Sequence, residues 1–212
     1  MANYFKFFPK TSYFNSDSSN SLDTVTNLTM KWKFNDAFKE NTLAYYDYVV
    51  KDGETPEMIA HKLYDSSERH WIILAVNDIV HPQFDWPFNT QTLIQYIEDK
   101  YIQYANTSIG ETGFEWAQSN FKDYYFTEKK TIKVSGDYTE RRYELTSNNY
   151  STFINSSNDY TLDDGTQINI STTRDRKTYY EYELDLNESK RNIKLLKTEF
   201  ISTLEEEFRK LL

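Results

Sequence analysis

One stretch of the chain, from Tyr48 to Pro87, has the sequence pattern of a complete small folding unit and constrains the fold most. The β-branched and aromatic run Tyr48–Val50 favours an extended backbone. Asp52-Gly53 then turns the chain, because Gly accepts a positive φ at little cost. Thr55 is a suitable cap for a following helix, and Pro56 suits its first position, where no N–H is needed. The stretch therefore opens with a predicted strand, turn and helix.

Two short helices are predicted in this stretch from the spacing of its apolar residues. On the first helix, one apolar face at helical spacing is formed by Ile59, Ala60 and Leu63. The second helix begins after Ser66 or Ser67 and ends at Asn77, before Pro82. Its buried side is formed by Trp71, Ile72, Leu74 and Ala75. We therefore predict a strand–helix–helix unit over residues 45–88.

Residues 1–44 are predicted to form an extended N-terminal arm and a lead-in to this unit. The segment Tyr4–Tyr13 contains five aromatic residues around Pro9, without a helical period. A segment this apolar needs a surface, either the rest of the chain or a neighbouring protein, and we favour the neighbour. Lys31–Phe34 alternates like a half-buried strand, and Asn35–Thr42 is expected to form a short helix.

Residues 89–113 are predicted to form a packing helix and a loop, and residues 114–183 a small antiparallel β region. The helix is capped by Asn89 or Thr90, and one face carries Leu93, Ile94, Ile97, Tyr101 and Tyr104. In the β region, Thr131–Val134 alternates, residues 135–137 turn, and Tyr138–Leu145 returns as a partner strand. Residues 148–158 are expected to be loop and 163–165 a turn. Two further segments are expected to be extended: Gln167–Ile170 and Thr178–Tyr182.

The last stretch, residues 184–212, is predicted to be one long amphipathic helix capped by Asn187. Its apolar stripe consists of Ile193, Leu196, Phe200, Leu204, Phe208 and Leu211. Such a stripe needs a partner face, which belongs either to this chain or to an assembly. The predicted fold class is thus α+β, with a central strand–helix–helix unit, a small antiparallel β region, an N-terminal arm and this C-terminal helix.

The composition argues against several classes of function. The chain has 212 residues, no Cys and a net charge of -9, which disfavours disulfides, Cys-based zinc sites and a grip on nucleic acid. No stretch is long and apolar enough to span a membrane, and we see no signal peptide. The three His form no metal motif, and residues 159–165 lack EF-hand spacing. We therefore predict no catalytic residues, no cofactor, no metal and no enzyme activity.

The central unit resembles a LysM module in its strand, its Asp-Gly-Glu-Thr-Pro turn at residues 52–56 and its two helices. LysM domains usually bind chitin or peptidoglycan, and a glycan-binding module is therefore the alternative function. A LysM unit normally closes with a short strand that pairs with the first. In this chain Phe84–Pro87 and a new helix take that place, so the sequence predicts no closing strand.

The chain also resembles a more specific family, the LysM-containing baseplate wedge subunit of T4-like contractile-tailed bacteriophages (the gene-product-53 family). The matching segments, in chain order, are Phe7-Phe8-Pro9, Tyr45–Val50, Pro56–Tyr64, His70–Asp78, Asp85-Trp86-Pro87, Tyr182-Glu183, and Asn187-Glu188 leading to a Phe200-bearing helix. Residues 114–176 match no motif of the family.

The resemblance implies a structural subunit of the virion, located in the tail baseplate and assembled in the host cytoplasm. It would link neighbouring wedges around the central hub, in six copies, through other wedge proteins and the sheath-initiating lysozyme-like protein. The residues predicted to contact these partners are Phe5, Phe7, Phe8, Pro9, Trp86, Phe200 and Phe208.

Overall fold

The computed structural model describes residues 8–14, 22–27 and 42–211, and the chain divides into two units. The first unit comprises Met1–Thr90 and Asn187–Leu212, and the inserted unit comprises Gln91–Leu186. The predicted strand at Lys31–Phe34, and the predicted helix at Asn35–Thr42 apart from its last residue, lie outside the described residues.

Strands and α-helices are interspersed along the described residues. The strands are β1 (Lys10–Phe14), β2 (Leu22–Thr26), β3 (Tyr45–Val49), β4 (Phe121–Ile132), β5 (Tyr138–Leu145), β6 (Ser156–Thr161), β7 (Gln167–Thr178) and β8 (Asn192–Leu196). The α-helices are α1 (Pro56–Tyr64), α2 (His70–Val76), α3 (Pro82–Asp85), α4 (Thr90–Tyr101), α5 (Gly113–Ser119), α6 (Ser147–Thr152), α7 (Tyr179–Ser189) and α8 (Ile201–Leu211).

The turn, the cap and the helices predicted for the central stretch are confirmed. Gly53 turns the chain with a φ of 77°. The Thr55 side chain accepts a hydrogen bond from the Met58 N–H at the start of α1, and Pro56 is the first helical residue. Helix α2 ends at Asn77, as predicted, although its first turn is the 3₁₀ segment Ser67–Arg69. The buried side of the second helix differs in part: Trp71 and Ile72 are buried as predicted, but Ile73 and Val76 are buried with them, and Leu74 and Ala75 are half-buried.

The strand that closes this unit is the main difference from the prediction. Strand β3 pairs antiparallel with β8, with Tyr45 opposite Leu196 and Val49 opposite Asn192. The predicted absence of a closing strand is therefore wrong, and so is the single helix over residues 184–212. Only Ile201–Leu211 forms the C-terminal helix, and Asn187 lies in the last turn of α7 instead of capping that helix.

Side chains cap the outer edge of β8. The Asn77 amide accepts from the Lys194 N–H at 2.8 Å and donates to the Lys194 carbonyl oxygen at 2.8 Å. The buried Tyr64 hydroxyl donates to the Leu196 carbonyl oxygen at 3.0 Å. The β8 edge of this two-stranded sheet is therefore capped by side chains of the same unit.

The core of the first unit lies between this sheet and helices α1, α2 and α8. Its fully buried side chains include Ile59, Ile72, Ile73, Leu195 and Leu204. Strand β8 contributes Ile193 and Leu195 to one face of the sheet, and Leu196 is buried on the other. The core of the first unit therefore depends on residues from both ends of the chain.

The inserted unit is built on a four-stranded antiparallel sheet in the order β5-β4-β7-β6. The predicted pairing of residues 131–134 with Tyr138–Leu145 is confirmed for Thr131, which lies opposite Tyr138. The turn at Gly165 and the strand at Gln167–Ile170 are also confirmed. The loop expected at 148–158 is wrong, because α6 and the start of β6 occupy it.

The segment Thr178–Tyr182, predicted to be extended, is instead the start of α7. The Thr178 hydroxyl accepts from the Glu181 N–H, and the Glu181 carboxylate accepts from the Thr178 N–H. This reciprocal pair is a capping box, and it starts a helix despite the strand preference of the Tyr residues.

The cap on β8 gives a first test. Replacing Asn77 with Ala leaves the Lys194 N–H and carbonyl without their side-chain partner, so we expect a loss of about 1–3 kcal/mol. Hydrogen exchange of the Tyr46 and Tyr48 amides in β3 should accelerate accordingly. Asn192→Ala, on the same strand but exposed, is the matched control. Equal exchange rates in the two variants would contradict the cap.

Candidate interaction surfaces

The seven predicted contact residues are distributed unevenly in the structure. Phe5 and Phe7 lie outside the described residues. Phe8, Trp86 and Phe208 are buried at 6%, 8% and 2% exposure. Pro9 and Phe200 are half-buried, and Phe200 packs against the core of the first unit. Their contact with partners stays a prediction, and the buried rings offer a partner little surface in this conformation.

Phe8 and Phe208 come together at one place in the core. The Phe8 ring packs edge-on against Phe208, with ring centroids 6.2 Å apart, and Phe208 lies 4.7 Å from Trp71. An aromatic cluster of this kind stabilises beyond the area that it buries. Phe8 is therefore packed against Phe208 of α8, which in turn contacts Trp71 of α2.

Trp86 lies elsewhere, over the first turn of the central unit. Its indole N–H donates to the Glu54 carbonyl oxygen at 2.8 Å. The Glu54 carboxylate accepts from the Tyr48 hydroxyl at 2.8 Å and from the Lys51 N–H at 3.0 Å. The Gly53–Glu54 turn is thus tied to residues of its own unit.

A second network fastens the two points where the chain leaves and re-enters the first unit. The Asn187 amide is 3% exposed, accepts from the Phe88 N–H at 2.7 Å and donates to the Phe88 carbonyl oxygen at 3.1 Å. Asp52 accepts from the Thr90 N–H and from Arg191, each at 3.2 Å. Sequence reasoning missed this junction, because no local pattern connects residues so far apart in the chain.

The inserted unit has a buried charge cluster of its own. Glu183 is 4% exposed and accepts from Lys100 at 2.9 Å and from the Tyr101 hydroxyl at 2.7 Å. Burial and the bond to Glu183 raise the pKa of Tyr101. Because each polar group is paired, this cluster fits a structural role and leaves no free nucleophile or base.

Much of the inserted sheet is exposed on both faces. On one face, Phe126 stacks between Tyr143 and Phe153 at 4.9 and 4.8 Å. On the other face, the Arg142 guanidinium lies 3.4 Å from the centre of the Tyr125 ring. The most exposed apolar side chains of this unit are Val134, Ile154 and Ile109, at 89%, 83% and 77%.

The described residues contain no group of three His, Cys, Asp or Glu side chains placed to hold a metal ion. In the same part of the chain, no helix has the length and apolarity that a membrane crossing requires.

The described residues thus form two folded units with exposed apolar and aromatic side chains. A family model described as base plate wedge protein 53 matches residues 3–211, which is nearly the whole chain. Comparison with curated proteins gives no match. The chain belongs to the baseplate wedge protein 53 family, so the predicted family is confirmed. The family places the protein in the virion, as a structural component of the phage tail baseplate.

Glu54 gives a pH test of the first turn. Burial alone would raise its pKa, but hydrogen bonds from Lys51 and Tyr48 and the charges of Lys62 and Lys51 lower it below 4.5. A carboxyl with a lowered pKa stabilises the fold above its unfolded value, and this contribution is lost as the pH falls through the folded value.

We therefore expect Glu54→Gln to destabilise the first unit by about 1–3 kcal/mol at pH 7. The difference from the parent chain should shrink as the pH is lowered below 4.5. Urea unfolding of both chains at each pH measures this difference. The control is Glu57→Gln, an exposed residue of the same helix region. A pH-independent difference would contradict the assigned role of the carboxylate.

Proposed function

We propose that this chain links neighbouring wedges of a contractile-tail baseplate around the central hub, without enzyme activity. The observation that carries the proposal is the division of one chain into two units, each with its own buried side chains. A subunit that joins two neighbours needs two separate contact surfaces, and two units on one chain provide them. The network at Phe88 and Asn187 supports this role, because it ties together the two points where the chain leaves and re-enters the first unit.

Each unit also exposes several large apolar side chains. In the first unit these include Leu43, Val49, Val80 and Phe84, between 60% and 76% exposed. The inserted unit adds Val134, Ile154 and Ile109. Exposed apolar groups of this kind are typical of protein–protein contact sites when they lie together. The partners that the family resemblance favours are other wedge proteins and the sheath-initiating lysozyme-like protein, with six copies of this chain per baseplate.

We infer that the first unit derives from a LysM module whose closing strand has been separated from its helices by the insertion. The order β3, α1, α2 and β8 supports this inference. The alternative function, glycan binding, receives no support from the first turn, because Trp86 occupies the space beside Glu54. Specific retention of the purified chain on peptidoglycan would favour that alternative.

The role of the N-terminal arm can be tested by a truncation that leaves the buried Phe8 in place. Deleting residues 1–7 removes Phe5 and Phe7 but keeps Phe8 on Phe208. We expect this variant to unfold at the same temperature as the parent chain and to fail in joining wedges into rings. Wedges prepared without this chain, mixed with each variant and imaged by electron microscopy, provide the measurement.

The matched variant is Phe8→Ala, which removes a buried ring and should cost about 3–5 kcal/mol. Ring closure at the parent level by the truncated chain would contradict a role for the arm. Failure of the parent chain itself to join wedges would contradict the proposed function as a whole.

A further inference from the structure

Strand β5 is an edge strand of the inserted sheet, because β4 is its only strand partner among the described residues. The backbone groups on its outer side can be identified from the pattern of hydrogen bonds with β4. The Ile132 N–H donates to the Asp137 carbonyl oxygen at 2.8 Å, next to the pair Thr131–Tyr138. Bonded and non-bonded pairs alternate along an antiparallel ladder. The N–H and C=O groups of Tyr138, Glu140, Arg142 and Glu144 therefore point away from β4. None of the described residues hydrogen-bonds to them.

This edge lacks most of the features that protect natural sheet edges. Its register with β4 runs without a bulge from Thr131–Tyr138 to Tyr124–Leu145. The strand contains no Pro, no Gly and no Lys, and seven of its eight side chains are exposed. Proteins usually blunt such an edge with a bulge, a Pro, charged side chains or a covering element, and of these β5 has charged side chains. By contrast, the edge of β8 in the first unit is capped by Asn77 and Tyr64.

The charges that β5 does carry alternate in sign on one face. Glu140, Arg142 and Glu144 project to the same side, because side chains alternate along a strand. Arg142 is held over the Tyr125 ring at 3.4 Å, and Lys129 lies 3.6 Å from Glu140. Opposite charges on directly facing residues of two strands attract, and like charges repel. A segment with a cation, an acid and a cation at alternate positions is complementary to this edge.

A second copy of the chain fits this edge less well. The antiparallel register that pairs all four outward residues of two copies places Glu140 opposite Arg142. The same register places Arg141 opposite Arg141 in a non-bonded pair, where the Cα atoms are only about 4.5 Å apart. Each copy also carries a net charge of -9. This register forms the Glu140–Arg142 pair twice, but it leaves Glu144 opposite Tyr138 and brings the two Arg141 side chains together. A segment of a different protein can match Glu140, Arg142 and Glu144 at once without the Arg141 repulsion, and we therefore take a different protein as the occupant.

We propose that β5 binds an extended segment of another baseplate protein, which joins the sheet as a fifth strand. The segment carries basic residues opposite Glu140 and Glu144 and an acidic residue opposite Arg142. Backbone hydrogen bonds supply the attraction, and the charge pattern supplies the choice of partner. This proposal rests on the proposed function, since it assigns one of the contacts through which the chain joins wedges.

Blocking one outward donor tests the backbone part of the proposal. Glu140→Pro removes an N–H that points to solvent, which an edge strand tolerates. We expect binding to wedges prepared without this chain to weaken roughly tenfold, which corresponds to about 1.4 kcal/mol. The matched control is Thr161→Pro, at an outward position of β6 on the other edge of the sheet, next to the bonded pair Leu162–Thr166. Hydrogen exchange of β4 and β7 should be unchanged in both variants.

Two further variants test the charge pattern. Glu140→Thr removes the carboxylate of Glu140 but keeps its backbone N–H, unlike Glu140→Pro. Arg142→Glu replaces the positive charge between Glu140 and Glu144 with a negative one. We expect Arg142→Glu to weaken binding more than Glu140→Thr. A photo-cross-linking residue in place of Tyr138, which is 59% exposed, then identifies the occupant by mass spectrometry of assembled baseplates. An adduct with a different baseplate protein supports the proposal. An adduct with a second copy, or none, overturns it.

The outcomes separate the two proposals. If the Glu140→Pro and Arg142→Glu variants join wedges as well as the parent chain, the strand-binding proposal is wrong and the linking function stands. If the parent chain does not bind wedges, the linking function is wrong.

Discussion

The first unit depends on the pairing of β3 with β8, two strands that lie on either side of the inserted unit in the sequence. Without β8, the core would lose Ile193, Leu195 and Leu196, three side chains that are at most 5% exposed. The caps from Asn77 and Tyr64 would lose their partners as well. This pairing explains how the first unit accommodates so large an insertion, because β8, which follows the insertion in sequence, completes the sheet that β3 begins.

The protein belongs to a family of baseplate subunits, and its structure suggests how such a subunit is built. A compact unit unites both ends of the chain, and Phe88 and Asn187 join the points where the insertion begins and ends. The insertion has a sheet with exposed faces and an open edge. Aromatic residues serve both parts: in the first unit they close the core at Phe8, Trp71 and Phe208, and in the insertion they lie half-exposed on the sheet.

The sequence predicts the features that depend on neighbouring residues. Gly53, the Thr55 cap and the end of α2 follow from local chemistry, and each is found where expected. The sequence-based prediction fails where the structure of a segment depends on residues far away in the chain. Ile193, Leu196 and Phe200 fit a helical stripe, yet β3 provides a strand partner for residues 192–196, and tertiary pairing overrides the helical pattern. The burial of Phe8 and Phe208 was equally beyond local reasoning, since each ring is buried by residues remote in sequence.

The most direct test of the β3–β8 pairing uses the absence of Cys from the chain. Asp47 and Lys194 face each other in a non-bonded pair, where Cα atoms are about 4.5 Å apart and a disulfide can form. Under mild oxidation of the folded protein, the variant Asp47→Cys/Lys194→Cys should form an intramolecular disulfide rapidly and almost completely. Asp47→Cys/Ile193→Cys, shifted by one residue to the other face, should not. Failure of the first pair to cross-link, or equal cross-linking of both, would contradict the closed unit.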